Sequence, residues 1–106
     1  MIDTSPVTSK LDSELELLER HIRVLKITKE NQPIGIIRLA ELLDMRKQEH
    51  KVRYSLRILE GAGLIEATSG GAKVTEEYDN FMEHVSEYLD ELTERLRSVK
   101  ESVPLT

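Results

Sequence analysis

Between residues 46 and 57 the sequence reads Arg-Lys-Gln-Glu-His-Lys-Val-Arg-Tyr-Ser-Leu-Arg. Five cations, Arg46, Lys47, Lys51, Arg53 and Arg57, stand there against Glu49 alone, a local charge of +4. The chemistry open to such a set is recognition of an anion and of base edges. An arginine guanidinium can donate two parallel hydrogen bonds to guanine, a glutamine amide such as that of Gln48 can pair with adenine, and lysine attracts phosphate. By itself such a run is equally the solvated face of a helix, so its meaning depends on the element that carries it. Glu49 would repel phosphate unless it accepts from a cytosine amino group or pairs with Arg53 one helical turn on. The spacing favours the ion pair.

Other reactive chemistry is scarce. His21, His50 and His84 fall on three different predicted helices without the spacing of metal ligands. The acid clusters have no base or nucleophile placed to work with them, and Gly70-Gly71 lacks the Lys and Ser/Thr of a phosphate-binding loop. With no cysteine, disulfides, thiolate zinc and a cysteine nucleophile are excluded together. No enzyme, no metal and no cofactor is expected.

The elements that must position the basic run follow from the apolar pattern. The chain has 106 residues, 39% of them apolar and only 4% aromatic, so one modest core must be filled by Leu, Ile and Val. Residues 1–10 are polar, contain Pro6 and show no period, which reads as a disordered tail. Leu11, Leu15, Leu18, Ile22 and Leu25 mark one face of a first helix that ends near Glu30, before Asn31-Gln32-Pro33. Ser13 with Glu16 suits a capping box for its start, with Ser9 and Asp12 as earlier options. Pro33-Ile34-Gly35 suits a short extended stretch. Ile36, Ile37, Leu39, Ala40 and Leu43 give a short second helix its inner face, ending near Asp44-Met45. A third helix is expected from Lys47 to Glu60, with Val52, Ser55, Leu56 and Leu59 inward and Gly61-Ala62-Gly63 closing it. Two short strands, 64–67 and 72–75, flank a glycine-containing turn as a β-hairpin. Thr75 is the expected cap of a last, long helix, in which Met82, Val85, Leu89, Leu92, Leu96 and Val99 keep heptad spacing as far as Val103.

Helix, short strand, helix, helix, hairpin is the order of a winged helix-turn-helix: mainly α with a small β-hairpin wing. Leu39-Ala40-x-x-Leu43, then Val52-Arg53-Tyr54-Ser55-Leu56-Arg57-x-Leu59-Glu60, then Gly63-Leu64-Ile65-Glu66 and the Ser69-Gly70-Gly71 tip carry the likeness. Together they resemble the small winged-helix transcriptional regulators of archaea and bacteria, over roughly residues 34 to 75. The resemblance implies a DNA-binding domain over 11–75 whose third helix enters the major groove. By position it puts Gln48, Lys51, Arg53 and Tyr54 toward base edges, with Arg46, Lys47, His50 and Arg57 nearby and Lys73 on the wing. Asp44 departs from the pattern, standing where such proteins often have Gly, which implies a strained turn.

The net charge of −5 conceals a polarity, because the segment from Glu76 to Glu101 holds nine acids against Arg95, Arg97 and Lys100, a local charge of −6. That surface would turn DNA toward the third helix. The heptad helix, residues 76–103, is expected to self-associate in a coiled-coil-like homodimer through Met82, Val85, Leu89, Leu92, Leu96 and Val99, alone or with the first helix. The expected function is a cytoplasmic, homodimeric, sequence-specific regulator of transcription on double-stranded DNA, with no membrane span. A winged-helix protein-interaction module that binds no DNA is the alternative.

Overall fold

The computed structural model describes residues 5–105. Its elements run α1 (Pro6–Asn31), α2 (Ile36–Leu42), a single 3₁₀ turn (Arg46–Gln48), α3 (Glu49–Gly61), β1 (Ile65–Thr68), β2 (Gly71–Val74) and α4 (Tyr78–Glu101). The fold is mainly helical with one antiparallel hairpin, and two compact units meet after Glu76.

α1 begins five residues before the expected Leu11. Ser5 is extended and its side chain accepts from the Thr8 amide at 3.3 Å, while Pro6 takes the first helical turn, where its missing N–H costs nothing. The reading of 1–10 as a disordered tail is therefore corrected over Pro6–Lys10, and residues 1–4 lie outside the described residues. Ser13 is no cap either, since its hydroxyl donates back to Ser9 O within the helix. The helix stops where expected, with Gln32 forced to an extended conformation by Pro33.

Two helix ends share one device. After α2, the Asp44 amide donates to Glu41 O at 3.0 Å and the Met45 amide to Ala40 O at 2.7 Å, with Asp44 left-handed at φ 57°. After α3, the Gly63 amide donates to Glu60 O at 3.0 Å and the Leu64 amide to Leu59 O at 2.9 Å, with Gly63 at φ 78°. Both are Schellman closures, which satisfy terminal carbonyls by one left-handed residue. Glycine adopts that conformation freely; Asp44 does so against its Cβ.

The hairpin pairs Ile65 with Val74 and Thr68 with Gly71. Its β2 edge is extended by Ile34, whose backbone exchanges two hydrogen bonds with Ala72 at 3.1 and 2.8 Å. The Gln32 Oε1 then accepts from the Val74 amide at 2.8 Å, so a side chain continues the ladder where the backbone leaves it. Gly71 is required by this closeness: a Cβ there would lie 2.6 Å from Ile34 C and O, and its φ is +127°. At the tip, the Thr68 hydroxyl donates to Gly71 O at 2.7 Å and accepts from the Gly70 amide.

The core of the first unit consists of Val24, Leu25, Ile34, Leu39, Ala40, Leu43, Val52, Leu59, Leu64, Ile65 and Val74, without an aromatic side chain. Ile37, expected inward, is exposed, because α2 is only seven residues long and buries Leu39 and Ala40 on its one inner stripe. Thr75 lies outside the N-cap position of α4. Its hydroxyl donates to Gly63 O at 2.6 Å, tying the hairpin's exit to the end of α3, and the cap position falls to Glu77. Along α4, Val85 is buried, Met82 and Leu92 are half-buried, and Leu89, Leu96 and Val99 are exposed. No described helix is long and apolar enough to cross a membrane.

Candidate nucleic-acid interface

α3 is amphipathic in the ordinary sense. Val52, Ser55 and Leu59, at steps of three and four, are buried, and Leu56 is half-buried beside them. The outward positions are those the basic run predicted. Arg46, Lys47, Gln48, His50, Arg53, Tyr54 and Arg57 are exposed, and Lys51 is half-buried. The 3₁₀ turn places Arg46, Lys47 and Gln48 at the leading end of the helix, directly after the left-handed Asp44.

Electrostatics within this face are mild. Glu49 pairs with Arg53 at 3.7 Å, as its spacing suggested, and Arg46 lies 4.0 Å from Glu41. Exposed pairs of this length contribute at most about 1 kcal/mol and leave both side chains accessible. Lys47, Lys51 and Arg57 have no ion pair among the described residues. The face keeps its positive character.

A polar cluster that spacing did not reveal ties α3 to α1. Ser55 is fully buried, and its Oγ accepts from Arg20 Nε at 3.0 Å. Its hydroxyl proton is then free to point at His21 Nδ1, 2.9 Å away, a bond that a neutral imidazole with its proton on Nε2 accepts. Burial, and secondarily the Arg20 charge, lowers the His21 pKa below its ordinary value, in keeping with that assignment. The His21 ring also stands beside Tyr54, centroids 6.4 Å apart. Tyr54 thus sits at the α1 edge of the exposed face rather than at its centre.

On the opposite flank, a cleft of about 290 Å³ separates α3 from the hairpin, lined by Ile34, Leu56, Arg57, Glu60, Ile65 and Ala72 among others. Arg57 borders it. Lys73 is half-buried on β2 and stands in register opposite Glu66 on β1. Of the histidines, only His21 is engaged in the fold; His50 and His84 are exposed on α3 and α4. Among the described residues, no three His, Asp or Glu side chains gather as metal ligands.

A comparison with curated proteins gives no match. The family model of the ribonuclease R winged-helix domain matches residues 19–82, from the middle of α1 through the hairpin into α4. The match supports the winged helix expected from the motifs, but it is not specific to transcriptional regulators. Covering more than half of the 106 residues and every element of the winged helix, it places this chain in the ribonuclease R winged-helix domain family.

Proposed function

We propose that this chain is a non-enzymatic, double-stranded DNA-binding regulator of transcription that acts as a homodimer. The observation that carries the reading is the outward face of α3, where Arg46, Lys47, Gln48, His50, Lys51, Arg53 and Arg57 line one element of a winged helix and only two acids, Glu41 and Glu49, pair with them. In such a domain this helix enters the major groove, with Arg and Gln reading bases and Lys seating phosphates. Arg57 and Lys73 would follow the backbone on either side of the cleft beside the hairpin. Two copies related by a two-fold axis would read half-sites about 34 Å apart. The exposed apolar side chains of α4, Leu89, Leu96 and Val99, supply the motive for pairing.

Membership in a family named for a ribonuclease favours RNA as the second reading. Fluorescence anisotropy with labelled random duplex DNA, challenged by unlabelled RNA hairpin and single strand, separates the two. Duplex binding that weakens steeply between about 50 and 200 mM salt supports groove binding through phosphate contacts. Preferential displacement by RNA transfers the same face to the second reading. No affinity for either nucleic acid at low salt rejects both in favour of a protein-interaction module.

A further inference from the structure

Exposure falls along one seam of α1. Leu11 is 61% exposed and Leu15 49%, Leu18 and Ile22 are half-buried, and Leu25 is fully buried. The seam's last turns belong to the core, and its first turns are open. α4 repeats the pattern toward its far end, where Leu96 is 51% and Val99 61% exposed. Both stripes follow the alternating three–four spacing of helices that pack side by side.

The residues bordering the two stripes differ in charge. Written as heptads with Leu11, Leu18 and Leu25 at d, the border positions of the open half of α1 are Val7 and then Asp12, Glu14 and Glu19, so its charged borders are all acidic. With Val85, Leu92 and Val99 at d, the borders of α4 from Ser86 onward are Ser86, Tyr88, Thr93, Arg95, Lys100 and Ser102, without one acid; Asp79, in the first turn, is the acid at a border position. The carboxylates that follow Asp79, including Glu87, Asp90, Glu91 and Glu94, lie on the outer positions instead. None of Asp12, Glu14, Glu19, Arg95 and Lys100 takes an ion-pair partner within its own unit. Border charges are what select one helix partner over another. An α4 set parallel and in register against its own equivalent would find no acid for Arg95 and Lys100.

We infer that the open half of α1 in one copy packs on the distal half of α4 in a second copy, with Asp12, Glu14 and Glu19 meeting Arg95 and Lys100. The inference rests on the homodimer proposed above and names its interface. Each copy carries both surfaces, and a reciprocal pairing with two seams related by a two-fold axis is the closed form of such an assembly.

The absence of cysteine allows a direct test on the full chain. Chains carrying Leu15→Cys are mixed with differently tagged chains carrying Val99→Cys and oxidised. The mixed cross-link is expected to exceed the Val99→Cys self-cross-link. Independently, sedimentation equilibrium compares Asp12→Lys/Glu14→Lys/Glu19→Lys with Arg95→Glu/Lys100→Glu. Each variant alone should dissociate at least tenfold more readily than the parent, and their mixture should recover a heterodimer of parental affinity. A parental dimer that ignores these reversals and cross-links chiefly through Val99→Cys keeps the homodimer and overturns this interface. A chain that stays monomeric throughout overturns both.

Discussion

The hydroxyl of Ser55, buried on the inner face of α3, lies 2.9 Å from His21 Nδ1 on α1. With Arg20 donating to the hydroxyl oxygen, the serine proton can be given to a neutral His21, whose Nδ1 then accepts. Burial and Arg20 hold the His21 pKa below the ordinary 6.5. The unfolded chain therefore binds more protons than the folded one below that pH, and stability rises with pH across the window. His21 contributes its full stabilisation above pH 6.5 and loses it as pH falls through the folded pKa. Urea midpoints at about pH 7.5 and 5.5 should differ in that sense, and the difference should shrink in His21→Gln. An unchanged difference would assign the pH dependence to other groups.

Ser55→Ala removes the acceptor of Arg20 and the donor to His21 in one step. Leaving partly buried polar groups unsatisfied costs about 1–3 kcal/mol. Chemical denaturation should report a loss in that range, and DNA binding at temperatures well below the transition should persist.

Gly71→Ala should be more damaging than its size suggests. The added methyl would stand 2.6 Å from the Ile34 backbone, at a φ of +127° that side chains rarely adopt. The Ile34–Ala72 exchange must break or the hairpin must shift, at a cost of about 1–3 kcal/mol for the conformation alone. Amide exchange at Ala72 measures the break directly; protection equal to the parent's would reject it.

Asp44→Gly should stabilise. The left-handed conformation at φ 57° costs an L-residue about 1–2 kcal/mol, and no side-chain bond of Asp44 offsets it. A rise of about 1 kcal/mol in unfolding free energy is expected, read from the denaturant midpoint at constant slope.

Within the proposed interface, lysines and arginines should separate by behaviour. Lys51→Ala and Lys47→Ala are expected to weaken duplex binding about equally across sequences and to lower the salt slope by about 1 each. Arg53→Ala should cost about 1–3 kcal/mol on a preferred site and relax base preference there. Binding selections on random duplexes with each variant distinguish the two outcomes.

Much of the architecture was legible because it is local. Glycine at 63, proline at 33 and the three–four spacing of leucines place α2, α3, the hairpin and α4 within a few residues of their observed bounds, and even the strained Asp44 showed in its departure from glycine. The start of α1 was misread because Pro6 breaks a helix interior yet begins a helix well, and only the Ser5 side chain decides between the two. The cap of α4 was placed two residues early, because the helix begins at Tyr78 and its cap position is Glu77, while the Thr75 hydroxyl also serves Gly63 O across the hairpin's exit. The cations of α3 could be named from their run, and Glu49 could be paired with Arg53 from spacing. The Arg20–Ser55–His21 cluster could not, because 34 and 35 residues separate its members and each side chain alone looks ordinary.

The Gln32 amide has a bearing beyond the hairpin it braces. The amides of Ala72 and Val74 are the donors that β2 turns away from β1, and Ile34 O and Gln32 Oε1 occupy them both. A sheet of two strands normally offers two free margins on which a foreign segment can zip up, the route by which small β-structures polymerise. Here one margin is already sealed, in part by a single side chain. Association between copies is thereby steered away from strand addition along β2.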